Sequence, residues 1–186
     1  MPKNGIHSIV TQGLSVMVIC TVIELAAGGF LSGMDDYFTT VLPGLIIMVP
    51  PLLGLRGNIG GALASRLGTG LNAGLIRPRL RWSKEIKANI ISSILISFLA
   101  AASIGFISYG ANLLTGSLTI GLQSLLFIAI IAGTLSGLIL SLLTTVVSVF
   151  TYVHGWDPDN VTAPMMATIG DFTMIASIYL AVVLVR

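Results

Sequence analysis

Residues 50–65 read PPLLGLRGNIGGALAS, a stretch that lies inside a long apolar run yet carries features at odds with one. Two adjacent prolines open it, glycines follow at 54, 57, 60 and 61, and Arg56 and Asn58 bring polarity. In a membrane, prolines and glycines free backbone groups that something else must satisfy, and buried polar side chains are costly. Such a segment suits packing against protein or lining a wet cavity, and makes little sense facing lipid. Its counterpart is Asp171, the sole carboxylate of the last apolar run. The chain reads as a scaffold that holds Asn58 and Asp171 near each other across a pore.

Composition supports that setting. The 186 residues are 55% hydrophobic and 9% charged, with a mean hydropathy of +1.00. Soluble domains carry about 25% charged residues, so an integral membrane protein in a lipid bilayer is expected. The whole of 1–186 is read as one transmembrane domain, with no soluble regulatory domain. Cys20 is alone in an apolar run, which excludes an intrachain disulfide and a metal–thiolate site. No basic stripe suits nucleic acid. The first apolar run resembles a signal peptide in having Lys3 before it and Ala26, Ala27 and Gly28 near its end. At 6–31 it is far longer than a signal core of about 7–15 residues, so it is read as a true span.

Spanning helices need about 20 apolar residues. Five windows satisfy this, at 6–31, 42–67, 86–109, 118–150 and 161–185. The fourth is too long for a straight crossing and should tilt, kink or extend beyond the bilayer. The expected fold is therefore all-α with five transmembrane helices. An odd count excludes a simple internal duplication. Arg77, Arg79, Arg81, Lys84 and Lys87 crowd the connection after the second window, with Arg66 just before it. The connection after the first window has only Asp35 and Asp36, and 110–117 is uncharged. Basic loops stay inside, so the amino terminus is expected inside and the carboxyl terminus outside, in a multi-pass protein of the cell membrane. This puts 151–160, with Asp157 and Asp159, inside as well, a mild conflict because acidic residues weigh little in that rule. Pro78 is expected to end the second helix and Ser83 to cap the third. The run Asp157-Pro158-Asp159-Asn160 reads as a turn into the fifth, with Asp159 or Asn160 as its cap.

Asp171 lies ten residues beyond Val161, roughly 15 Å into the membrane. Pro164, Ala167, Thr168 and Met174 or Ile175 share its face. On the second window Gly54, Asn58, Gly61, Ala62 and Ser65 share a face, and Asn58 is about 22 Å from the opposite end near Pro43. Asn58 and Asp171 therefore reach comparable depths. Gly57 and Gly61 form a GxxxG spacing, which close helix packing alone explains, but packing accounts for neither the prolines nor the asparagine. The metal-site candidates are Asp171, Asn58, Thr168, Ala167 and Gly57, offering carboxylate, amide oxygen, hydroxyl and freed carbonyls. Oxygen donors in a wet pore suit Mg²⁺, which keeps several of its waters. Two copies about a two-fold axis bring two Asp171 carboxylates to one divalent cation. No His or Cys cluster at this depth favours zinc or copper. Glu24 is a secondary candidate, as a second ligand or an outer-funnel residue, and either pairs with Arg56 or leaves it to snorkel. Asp157 and Asp159 are secondary candidates at the inner mouth, or simply a solvated helix start. His154 reads as a loop residue, and the Gly133/Gly137 pair as helix packing.

The pattern Pro50-x3-Gly54-x2-Gly57-Asn58-x-Gly60 resembles the signature of the membrane domain of the MgtE family of magnesium transporters. The strings GLRGNIGGALASRLGTGLNAG at 54–74 and DPDNVTAPMMATIGD at 157–171 are closer still to the MgtE-like repeats of related eukaryotic solute carriers. The resemblance implies a homodimer, or a pseudo-dimer in two-repeat relatives, with a pore between the halves lined by the second and fifth helices. It also implies that Asp171 binds hydrated Mg²⁺ with Asn58 close by. Ala62 departs from the bacterial signature, which has Gln there, and the bacterial cytoplasmic sensor domains have no counterpart in this sequence. Some relatives couple Mg²⁺ to Na⁺, so channel and Na⁺-coupled exchanger both stay open, as do Mn²⁺, Co²⁺ or Na⁺ as the ion carried. A non-transporting regulatory membrane subunit is the alternative from another class. An intramembrane aspartyl protease fits poorly, because Thr168 breaks the GxGD-like run ending at Asp171 and no second membrane-embedded aspartate exists to share a proton.

Overall fold

The computed structural model describes residues 6–36, 42–79 and 82–185. All its regular elements are helical: α1 (Ile6–Ser32), a 3₁₀ turn (Leu45–Met48), α2 (Val49–Asn72), α3 (Lys84–Thr115), α4 (Leu122–Val153) and α5 (Pro158–Val185). Five helices are long and apolar enough to cross a membrane. The fourth window is one unbroken helix, and α3 outgrows its expected window to the same 32 residues. Each is about 48 Å long, against a hydrocarbon core of about 30 Å, so both extend beyond it or tilt.

Three boundaries differ from the sequence reading. Pro50 and Pro51 fall in the first turn of α2, where a missing N–H breaks no intrahelical bond. They start the helix instead of interrupting it, and α2 then runs without a break through Gly54 to Ser65. Its end comes at Asn72, well before Pro78: Gly74 takes φ +71°, and the amides of Leu75 and Ile76 donate back to the Gly70 carbonyl at 2.9 Å. Ser83 does cap α3, its Oγ accepting from the Ile86 amide at 3.3 Å. At α5 the cap falls two to three residues earlier than expected. The Asp157 carbonyl accepts from the Val161 amide at 3.2 Å, which puts Asp157 at the cap and Pro158 at the first helical position, where its ring fits. The side chains of Asp159 and Asn160, and Lys3 and Arg81 altogether, lie outside the described residues.

Helix α4 packs on α2, α3 and α5, and α5 in turn on α1 and α2. Lipid supplies no hydrophobic drive between helices, so close approach has to come from small residues. Gly133 and Gly137 serve this purpose at the α3–α4 contact. A Cβ at Gly133 would collide with that of Ala101, and one at Gly137 would lie 2.5 Å from Ser97 Oγ. One end of the bundle is closed by Asn112, fully buried, whose Nδ2 donates to the Gly44 carbonyl at 3.0 Å. Gly44 itself has φ +84°, and a side chain there would meet Asn112 Oδ1 and the Leu118 carbonyl at 2.9 Å.

The interior is layered. Near the Gly44 end, Leu45, Met48 and Leu52 pack with Leu125, Ile128, Met174 and Ile178. Near the opposite end, Leu63, Leu67 and Leu71 pack with Ile76, Ile86 and Ile90. Between them lies a polar layer of Arg56, Ser93, Ser97, Ser136 and Thr144, all fully buried. The outer surface carries Leu14, Met17, Val22 and Leu25 of α1 and Leu95, Leu99 and Ile107 of α3, all exposed as lipid-facing residues should be.

Candidate functional site

Helix α2 has two unlike sides. Leu52, Arg56, Ile59, Gly60 and Leu63 point into the subunit. Gly54, Asn58, Ala62, Ser65 and Thr69 are exposed along the other side, with Gly57 and Gly61 half-buried beside them. A Cβ built at Gly54, Gly57 or Gly61 meets nothing within 4 Å. The GxxxG pair in α2 is thus unused inside the subunit, whereas the equivalent pair in α4 is filled. An uncovered helix face of glycine, alanine, serine and asparagine offers lipid chains little to pack against.

Helix α5 runs antiparallel beside α2, and glycine contacts fix the register. A Cβ at Gly60 would lie 3.7 Å from Met166 Cβ, and one at Gly170 would lie 3.2 Å from Arg56 Cβ. Asn58 is therefore level with Thr168, and Asp171 sits three residues further along, about 4.5 Å in axial height. The expected match in depth of Asn58 and Asp171 is met to within one helical turn. Asp171 is thirteen residues into the 28-residue helix, at its middle.

The other candidates fall out as follows. Asp171 is half-buried and Asn58 exposed, while Thr168 is 5% exposed and turned into the subunit. Ala167 and Gly57 are half-buried in unbroken helix, so their carbonyls are committed along the helix axis. The freed carbonyls expected beside Asn58 are absent, because the prolines of α2 lie at its start. Pro164, two turns before Asp171, is the proline inside a helix. Asp157 is half-buried at the α5 cap, remote from Asp171 by the length of three to four turns. His154 is exposed in the turn after α4, its Nδ1 2.8 Å from the Phe150 carbonyl oxygen.

Glu24 is better placed than the sequence indicates. Helix α1 lies parallel to α5: Val16 and Cys20 pack with Val161 and Met165, and the Phe30 ring centroid is 6.3 Å from Phe172 and 5.9 Å from Tyr179. That register sets Glu24 at the height of Asp171 and not at an outer rim. The two carboxylates thus stand at one height on neighbouring helices. Neither outcome expected for Arg56 is met. It is fully buried, so it does not snorkel, and its one hydrogen bond among the described residues runs from Nη1 to Ser97 Oγ of α3 at 3.4 Å. Its neighbours Gly137 and Gly170 belong to α4 and α5, which leaves α1 and Glu24 on the far side of α5.

Among the described residues no three His, Cys, Asp or Glu side chains converge within the subunit. The site consists of two carboxylates at one height, an amide one turn away, and an uncovered strip of small residues leading along α2 in both directions. Such a strip can hold water and pass a hydrated cation, and its oxygen donors favour hard ions.

Comparison with known proteins gives two findings. The sequence profile of MgtE, described as a divalent cation transporter, matches residues 49–182. Solute carrier family 41 member 2 of Gallus gallus is 30% identical over 192 residues, covering 93% of this chain and 32% of its own length. The member 2 protein of Mus musculus is 33% identical over 141 residues, 71% of this chain and 23% of its own length. Solute carrier family 41 member 3 of Mus musculus is 31% identical over 133 residues, 68% of this chain and 26% of its own. The chain thus spans a third or less of each of these relatives.

Proposed function

The chain belongs to the MgtE family of divalent cation transporters, and from that premise we propose that two copies form a Mg²⁺ pathway with the uncovered faces of α2 turned toward each other. Asp171 of both copies binds the hydrated ion, and Asn58 contacts it directly or through water. Glu24 adds negative charge at the same height, while Gly57 and Ala167 line the path as small residues rather than ligands. Thr168 supports Asp171 from behind. The amino terminus is inside, the carboxyl terminus outside, and the membrane is that of the cell.

One observation carries this reading: a half-buried carboxylate at the middle of α5 stands at the height of a polar, small-residue face of the neighbouring α2 that no described residue covers. Mg²⁺ suits the arrangement because it dehydrates reluctantly and needs few direct protein ligands. A charged residue in a span is expensive unless it serves a pathway, and two Asp171 carboxylates match one divalent charge.

The test is Mg²⁺ uptake into proteoliposomes followed with an entrapped indicator. Asp171→Ala should abolish uptake and Asn58→Ala should reduce it, with both variants eluting at the size of the parent. Parent-like flux through a folded Asp171→Ala protein would refute the assignment. The same assay with Mn²⁺, Co²⁺ and an imposed Na⁺ gradient separates a Mg²⁺ channel from a less selective or Na⁺-coupled carrier.

A further inference from the structure

The polar layer holds one charge that the pathway leaves unused. Arg56 is fully buried, and its Nε and Nη2 have no hydrogen-bond partner among the described residues. Its single bond, to Ser97 Oγ, is long at 3.4 Å. A guanidinium does not shed its proton in a protein, and an ion out of water demands compensating charge nearby. The side chain is also wedged in place. A methyl at Gly137 would sit 3.0 Å from Nη1, and one at Gly170 would sit 3.2 Å from its Cβ. Both glycines make room for this arginine, so the fold accommodates it at a cost: its Cβ lies at the height of Gly170, next to Asp171 in the chain, while its guanidinium reaches toward Ser97 of α3 and Gly137 of α4.

A charge inventory gives this placement a use. Of the seven acidic residues, Asp35, Asp36, Glu85, Asp157 and Asp159 lie at helix ends or in connections, and only Glu24 and Asp171 lie at mid-helix. Among the described basic residues Arg56 alone shares that depth; Arg66 is exposed further along α2, and Arg77, Arg79, Lys84 and Lys87 sit in the connection to α3 or at its start. Two carboxylates against one guanidinium leave one negative charge per subunit and two per dimer. Without Arg56 the same four carboxylates of the paired sites would carry four uncompensated negative charges. That charge would bind a divalent ion too tightly for quick release, or hold two ions at once, and conduction requires an ion that can leave. Positions 56 and 58 are about 200° apart around α2, so Arg56 acts on the site through its field and does not stand in the path.

We propose that Arg56 is the built-in counter-charge of the cation site, setting its capacity at one divalent ion per dimer and weakening its hold on that ion. This rests on the dimeric pathway proposed above. Arg56 is a positioning residue for charge, not a ligand.

The experiment is titration calorimetry of the purified full chain with MgCl₂, repeated with MnCl₂ and read by electron paramagnetic resonance for stoichiometry. Arg56→Gln should bind Mg²⁺ at least about tenfold more tightly, or two ions per dimer instead of one, because a buried unit charge at the same depth acts through an interior of lower dielectric than water. Arg56→Lys, which keeps the charge, should return affinity and stoichiometry to those of the parent. A folded, dimeric Arg56→Gln with parent affinity and stoichiometry overturns the proposal. Should Arg56→Gln fail to fold, Glu24→Gln decides: the exposed substitution leaves the dimer site without net negative charge, so Mg²⁺ affinity should fall at least about tenfold, and parent affinity there overturns the charge balance. Where both fold, Glu24→Gln combined with Arg56→Gln should recover most of the loss, and a double variant no better than Glu24→Gln counts against the idea. Asp171→Asn distinguishes the two levels of the argument. Unchanged binding in that variant overturns the cation site itself, whereas lost binding there with unchanged binding in Arg56→Gln overturns only the role of Arg56.

Discussion

Alanine at Gly57 and alanine at Gly133 should move the stability of the subunit in opposite directions, although each glycine opens a GxxxG pair inside an apolar helix. At Gly57 a Cβ meets nothing within 4 Å, so the substitution removes a backbone-entropy penalty and gains about 0.5–1 kcal/mol. At Gly133 the Cβ would fall on that of Ala101, with the Ser97 carbonyl 3.5 Å away. The colliding atom is held by its backbone and cannot rotate aside, so α3 and α4 must separate, and overpacking of this kind costs about 1–3 kcal/mol. The backbone term is common to both substitutions, so the two variants should differ by the overpacking cost alone, about 1–3 kcal/mol, from about fivefold to somewhat over a hundredfold in the unfolding equilibrium. Reversible denaturation in mixed micelles, at a protein concentration low enough to keep subunits apart, reads this difference directly. Flux should show the inverse order of concern: Gly57→Ala narrows the strip beside Asn58 and lowers Mg²⁺ uptake without loss of stability. If Gly57→Ala destabilises isolated subunits as much as Gly133→Ala does, the α2 face is covered from within the subunit and the pathway argument loses its support.

Two further outcomes follow from the same geometry. In a Cys20→Ser background, single cysteines introduced as Asn58→Cys, Ala62→Cys and Ser65→Cys should react rapidly with a charged, membrane-impermeant thiol reagent in proteoliposomes. Leu63→Cys and Leu67→Cys, on the buried side of the same helix, should resist, and equal labelling of all five would remove the distinction between the two sides of α2. Gly44→Ala, at φ +84° and against Asn112 Oδ1, should lower subunit stability by about 2 kcal/mol or more in thermal unfolding, since the left-handed backbone alone costs an L-residue roughly 1–2 kcal/mol.

The count and order of the helices were open to sequence reasoning because length and hydropathy are what a bilayer demands, and Asp171 stood out because a carboxylate in a span is rare. The shared height of Asn58 and Asp171 could be worked out by measuring along two helices from opposite ends. What could not be worked out concerned rotation about those axes. Nothing in the string says that Thr168 turns inward while Asp171, three residues later, stays half-exposed. Pro50 and Pro51 misled for a local reason: apolar residues continue on both sides of them, so hydropathy hides the helix start that the 3₁₀ turn at Leu45–Met48 creates. Arg56 misled for a tertiary reason. Its pocket is built from Ser97, Gly137 and Gly170 on three other helices, and only their packing reveals that the charge neither pairs with Glu24 nor reaches an interface. Glu24 was placed too far out because its height depends on how α1 is set against α5, which the Phe30–Phe172 and Phe30–Tyr179 contacts fix.

The poverty of ligands at the site is itself an argument about mechanism. A protein that strips Mg²⁺ of water must replace six close oxygens in octahedral geometry, at 2.0–2.1 Å, and that requires convergent carboxylates and carbonyls from several elements. Here the carbonyls of Gly57 and Ala167 are held within unbroken helices, Thr168 is turned away, and what faces the open side of α2 is one amide and a strip with almost no side chains. Glycine, alanine and serine at 54, 57, 61, 62 and 65 widen the space instead of filling it, which serves an ion that travels with its shell and is useless to a bare one. On the proposed pathway, discrimination would rest on the size and charge of the hydrated ion. The quantity to tune is net charge, for which Glu24, Asp171 and Arg56 supply the three settings at one depth. On this reasoning a bulky substitution at Gly61 should exclude hydrated Mg²⁺ while sparing Na⁺, whose shell is looser, and a Gly61→Leu protein that blocks both ions equally would mean that the strip is a structural seam and not the route.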